Sequence, residues 1–162
     1  MTGESLIGLY ERTVDEVYRY ATRLTGGDHA AAEELVQDTY LQLIRRQRDG
    51  SIGEVDIGWL IVSCRHRFLD GLKRDRRRIA REQHATPAAM PAHPADDTSD
   101  GSTTAALGRL ATDQRAVLVM RYVDGLSVAQ IAAEISRSTH ATNSLLARAR
   151  AALRAELQGS ES

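Results

Sequence analysis

The chain has little with which to build a cross-linked or membrane-embedded protein. Its single cysteine, Cys64, sits in an apolar helical pattern, which excludes both a disulfide framework and a zinc site built on cysteine pairs within one chain. Aromatic residues make up only 4% of 162 residues against a hydrophobic fraction of 42%, a balance that favours one or two small helical units packed with Leu, Ile, Val and Ala. No apolar run approaches membrane-spanning length, and the first residues lack a basic-then-apolar leader. No membrane insertion is expected, and the cytoplasm is the expected location. Also missing are a Gly-rich phosphate loop, a zinc-binding helix signature and a serine nucleophile elbow. His29 and Glu33 have helical metal-ligand spacing but no third ligand, and His66 has no partner acid at useful spacing. The expectation is a binding protein with no enzymatic activity, no metal and no cofactor.

Charge of one sign is also scarce overall, at a net −1, but the total hides a segregation. Residues 1–58 carry six basic and eleven acidic side chains, whereas residues 59–81 carry eight basic and two acidic. Residues 82–103 have four acids and no Lys or Arg, and residues 104–157 return to an excess of three positive charges. Two basic patches separated by acidic stretches are compatible with nucleic acid, because phosphate responds to the local field and not to the sum.

Apolar residues Leu6, Tyr10, Val14, Val17, Ala21 and Leu24 recur at steps of three and four, predicting a helix over residues 4–24 that stops before Gly26 and Gly27. Asp28 can cap a second helix whose buried stripe is Leu35, Val36, Tyr40, Leu43 and Ile44. Its other side offers Glu34, Gln37, Asp38, Leu41 and Arg45, either solvated or used by a protein partner. After a Gly-containing loop over residues 47–58, a third helix directs Leu60, Ile61, Cys64, Phe68, Leu69 and Leu72 inward and runs into the basic stretch of residues 73–81. Such a run is often only a solvated helix end, but its arginine density suits the neutralisation of several phosphates. Residues 82–103 hold all three prolines, Pro87, Pro91 and Pro94, and no apolar period, and read as a flexible acidic linker. That composition predicts no packed interface between the flanking domains. Short helices over residues 105–110 and 113–123 follow.

Residues 126–157 then read as two helices joined by a brief turn. Ser127 with Gln130 is a capping box, Val128, Ile131, Ala132 and Ile135 form a buried stripe, and the helix ends near Ser136. Ser138 can cap the next helix, with Thr142, Leu146, Ala149, Leu153 and Leu157 on its inner face. The opposite face carries His140, Asn143, Ser144, Ala147, Arg148 and Ala151, small, polar and basic. Such a face suits a helix lying in the major groove, and the whole has the form of a helix-turn-helix; a helical hairpin with a solvated outer face is the plainer alternative.

In order and spacing, the segments resemble the extracytoplasmic-function class of bacterial sigma factors, group 4 of the sigma-70 family. In the first domain the residues concerned are Leu9 and Tyr10, Tyr18 to Ala21, Arg23 to Gly26, and Ala32 to Tyr40, followed by Trp59, Leu60, Arg65 and residues 70–78. In the second they are residues 113–118 and 121–127, Ile131 and Ala132, and Arg148 to Arg150. The resemblance implies an all-α fold of two small helical domains, residues 1–81 and 104–162, joined by the linker of residues 82–103, with no appended C-terminal domain. It further implies a sigma factor that binds core RNA polymerase through Leu35, Gln37, Asp38, Leu41 and Arg45. Trp59, Arg65, His66, Lys73, Arg74, Arg76, Arg77 and Arg78 would engage and open the minus-10 element of promoter DNA. Trp59 serves equally well as a core residue. Ser138, Thr139, His140, Asn143, Ser144 and Arg148 would read the minus-35 duplex. An anti-sigma factor is a further implied partner.

The recognition helix departs from the family pattern, with Ser136 at the usual turn glycine, Arg137 at an apolar position, Thr142 at a core valine, and Asn143 and Leu145 at two basic positions. Minus-35 base preference therefore does not carry over. The alternative reading is a helix-turn-helix regulator whose first domain is a protein-interaction module; the basic helix after Trp59 favours the sigma factor, since an interaction module has no need of it.

Overall fold

The computed structural model describes residues 3–81 and 99–159, all of whose regular elements are α-helices. Three form the first unit: α1 (Gly3–Thr25), α2 (His29–Arg48) and α3 (Ile57–Arg81). Gly26 and Gly27 both take positive φ, which stops α1 where an L-residue would be strained, and the Gly27 N–H closes the end on the Thr22 carbonyl at 2.9 Å. Asp28 caps α2 by accepting from the Ala31 N–H at 3.1 Å. Asp56, which periodicity does not single out, does the same for α3 by accepting from the Trp59 N–H at 3.0 Å. Val17, Tyr20, Ala21, Leu24, Leu43, Leu60 and Cys64 form the buried centre of this unit. Burial pushes the Cys64 thiol up to about 12, so it is a core residue and not a reactive one.

The second unit consists of α4 (Ser99–Gly108), α5 (Thr112–Tyr122), α6 (Val128–Ile135) and α7 (Thr139–Gly159). Helix α4 starts earlier than expected, inside the segment assigned to the linker. Ser99 and Asp100 suit a helix start, Ala105 and Ala106 favour continuation, and periodicity is blind to both preferences. The rest of that segment, residues 82–98, lies outside the described residues. The capping box of α6 is present in full, with Gln130 N–H on the Ser127 hydroxyl at 3.1 Å and the Ser127 N–H on Gln130 at 2.8 Å.

The absence of a packed interface, expected from the linker's composition, is overturned. Leu69 of α3 is buried in the second unit's core, Val119 of α5 is buried in the first unit's, and half-buried Phe68 borders both. A linker's composition governs the tether and says nothing of the surfaces at its two ends, and here those surfaces are apolar and oppositely charged.

Ser136 ends α6 with φ 57° and ψ 46°, the left-handed conformation that costs a non-glycine residue about 1 kcal/mol. Its side chain is exposed, so nothing else is lost on removal. Ser136→Gly is expected to raise stability by roughly 0.5–1 kcal/mol, less than the full strain because glycine also loosens the unfolded chain. Chemical denaturation of the two proteins side by side checks this; a destabilised glycine variant would show that the turn is not strained.

Candidate nucleic-acid interface

Helix α7 presents the face expected of it. Ser138 caps it, accepting from the Ala141 N–H at 3.0 Å, and the Thr142 hydroxyl donates to the Ser138 carbonyl at 2.8 Å, which satisfies a threonine that is fully buried. Ser138, Thr139, His140, Asn143, Ser144 and Arg148 are all exposed and share the outer side with Ala147 and Ala151. Leu145 is a buried member of the second core beside Leu146, which explains how the helix dispenses with a basic residue there.

Helix α3 is divided. Arg74, Arg77 and Arg78 are exposed, whereas Lys73 and Arg76 are half-buried. Trp59 does both things the sequence allowed: it packs against the first core and also lines a cleft of about 260 Å³ with Gln42, Val62, His66, Arg67 and Asp70 among its other walls. Arg65 does not reach this surface at all. Its side chain is 8% exposed and points to the second unit, so its expected place on the free DNA-facing side is corrected.

On α2, Gln37, Leu41 and Arg45 are exposed and Asp38 is half-buried, forming one continuous surface in which Leu41 is an exposed large apolar side chain. Leu35 is withdrawn from that surface into the core, for it belongs to the same stripe as Val36 and Leu43.

Between the units lies a polar cluster that sequence spacing did not reveal. The Tyr20 hydroxyl donates to Asp124 Oδ2 at 2.8 Å, and Arg65 Nη1 stands 3.3 Å from the same oxygen, with Asp124 only 4% exposed. Burial raises the Asp124 carboxyl above its ordinary value even though the tyrosine and the guanidinium both favour the anion; burial and the anion likewise raise Tyr20. Arg65 Nη2 is 3.9 Å from Glu134, and His66 Nε2 is 3.3 Å from Glu134 Oε2, so His66 does have an acidic neighbour, one 68 residues away. Further along α3, Arg76 lies 3.5 Å from Asp113, which also meets Arg137 of the α6–α7 turn at 3.4 Å. Arg115 crosses in the other direction and donates from Nε to the Leu24 carbonyl at 2.7 Å, covering the C-terminal end of α1. Its desolvation lowers the guanidinium pKa.

The Sigma-70 region 2 family matches residues 9–78, and Sigma-70, region 4 matches residues 101–153. The extracytoplasmic-function (ECF) RNA polymerase sigma factor SigL of Mycobacterium tuberculosis is 32% identical over 155 residues, 93% of this chain and 87% of SigL. The chain belongs to the ECF sigma factors. It is also 31% identical over 151 residues to the ECF RNA polymerase sigma factor BldN of Streptomyces coelicolor, covering 87% of this chain but only 56% of BldN's length. The fold is shared with the sigma factor RpoE of Bartonella quintana, solved in complex with the anti-sigma factor NepR, at a TM-score of 0.58 and 24% identity over 92% of this chain and 94% of that one. In this sigma factor, the region 2 match takes in α3 as far as Arg78 and the whole of α6 falls in region 4. Tyr20, Asp113 and Asp124, which the sequence showed only as parts of the family resemblance, and Glu134, which it did not single out, join the two regions, and spacing within either region gives no sign of that pairing.

Proposed function

We propose that this sigma factor binds core RNA polymerase and directs it to promoters, where it promotes DNA melting and transcription initiation. The α2 surface of Gln37, Asp38, Leu41 and Arg45 meets the polymerase. The cleft at Trp59 and the exposed arginines of α3 take the minus-10 strand, an unpaired base stacking on the Trp59 ring while cations follow the backbone. The outer face of α7 reads the minus-35 duplex. The role is one of binding and not of catalysis, it is exercised in the cytoplasm, and an anti-sigma factor is the antagonist. The observation that carries this reading is the pairing, in one short chain, of an exposed arginine-rich helix after Trp59 with a capped helix-turn-helix whose outer face is small and polar.

Two small DNA-contacting patches give weak binding on their own. Purified protein is therefore expected to co-elute with core polymerase in gel filtration but to bind promoter duplex poorly by itself. Tight, sequence-specific duplex binding without polymerase would favour a regulator instead.

Within α7, Asn143→Ala is expected to relax minus-35 base preference, because a bidentate amide contact discriminates by about 1–3 kcal/mol. Arg148 is more than a turn further along and leans back, its Nε 3.4 Å from the Ser144 carbonyl, a position suited to backbone phosphate. Arg148→Ala is expected to weaken binding about equally across sequences. Binding-site selection with both variants in the polymerase complex checks the contrast, and unchanged preferences in Asn143→Ala would refute it.

A further inference from the structure

Bidentate contact from an arginine or lysine is the commonest way a protein reads guanine in the major groove, and the recognition helix has no cation placed to make it. Helix α7 carries Arg148, Arg150 and Arg154 and no lysine. Arg148 turns back on its own helix, its Nε 3.4 Å from the Ser144 carbonyl, and Arg150 donates from Nη1 to the Tyr122 hydroxyl at 3.2 Å. Arg154 stands about four turns beyond Thr139, roughly 22 Å along the axis and past the N-terminal turns that enter the groove. In the turn before the helix, Arg137 is held by Asp113 at 3.4 Å. The two nitrogens of the His140 ring lie on diverging edges and make no fork.

The same turns offer Asn143 and, one turn on, Ala147, both exposed and on the same side of the helix. A carboxamide pairs in bidentate fashion with adenine N6 and N7, and a bare methyl packs on the C5-methyl group that thymine alone carries. The two residues are about 6 Å apart along the axis, less than two base-pair steps of about 3.4 Å, so they meet neighbouring pairs. Thr139 and Ser144 are exposed beside them, but a hydroxyl serves any base and decides nothing. We propose that this chain selects a minus-35 element of A·T pairs, Asn143 pairing with an adenine and the Ala147 methyl packing on a neighbouring thymine, with no position at which guanine is required. This rests on the assignment of α7 to the minus-35 duplex made above and names the bases that it reads.

The test uses the full chain bound to core polymerase and a pool of promoter duplexes randomised across the upstream element. Selection is expected to enrich an adenine and a thymine at neighbouring positions. Replacing the selected thymine by deoxyuridine keeps the base pair and removes only the methyl group, and should weaken binding about fourfold, the usual effect of one buried methyl. Ala147→Gly, which takes away the protein's half of that contact, should bind the thymine and uracil duplexes equally, with circular dichroism as the control for the helix. Ala147→Arg supplies the missing fork at an exposed position that tolerates a long side chain. It should bring a guanine into the selected element at the same place, and it stands in should the glycine variant unfold. An upstream motif whose strongest position is guanine, or equal binding of thymine and uracil duplexes by the parent chain, would overturn the proposal while leaving α7 as the reading helix. A selection that yields no upstream motif at all would count against α7 as the minus-35 reader, and the proposal would fall with it.

Discussion

Reversing the charge of Arg74, Arg77 and Arg78 together is expected to reduce promoter opening about 10²-fold and to flatten its dependence on salt. The three are exposed, as is Arg81 at the far end of the run; Arg76 is left alone because it is committed to Asp113. Arg78 has only a loose pair with Asp75 at 3.9 Å, both side chains about two-thirds exposed, so little internal structure is lost. A charge-assisted contact contributes roughly 1.5–3 kcal/mol, and solvent screening at an exposed helix end reduces three of them to a loss of about 10²-fold. Each phosphate contact on a single strand adds about 0.7 to the slope of log affinity against log salt, so the slope should fall by about 2. Permanganate footprinting of the open complex across a salt series, with thermal unfolding as the control for folding, checks both numbers. An unchanged slope would mean that the run is only a solvated helix end.

Leu145→Ala is expected to destabilise the second unit by about 2–4 kcal/mol, the usual cost of emptying a leucine-sized site in a packed core. Leu145 is 2% exposed among Leu146, Ile131 and Ile135. The size of the loss fixes the rotation of α7 about its axis, and with it which residues face DNA. Urea denaturation gives the value; a change below about 0.5 kcal/mol, as for a surface site, would place Leu145 on the outer face and displace Asn143 from it. Asn143→Ala, on the exposed side, should leave the same midpoint nearly unmoved.

What could be read from the sequence was what is local. The α6 capping box, the Ser138 cap, the double-glycine stop after α1 and the outer face of α7 all follow from spacing within a few residues, and the structure has each of them. Leu145 and the early start of α4 were missed for different reasons. A buried stripe on α7 is wide enough to take Leu145 as well as Leu146, and a three-to-four spacing does not set that width. Helix α4 is carried by residue preferences at its start and in its body and not by apolar period. The partners of Arg65 lie 59 and 69 residues away along the chain, on α5's trailing turn and on α6, and no pattern within α3 announces them. The charge segregation did show that basic and acidic segments alternate; that Asp124 would sit on Arg65 needed the packing of the two units to be seen.

Run-off transcription from a cognate promoter with purified core RNA polymerase, with and without this chain, tests the sigma-factor assignment most directly. The expected result is a discrete transcript only when the chain is present, with the start site set by the minus-10 and minus-35 elements and the signal suppressed by reversing Arg74, Arg77 and Arg78. No transcript from a chain that nonetheless binds the promoter duplex tightly and specifically by itself would contradict it, and would make the protein a helix-turn-helix regulator.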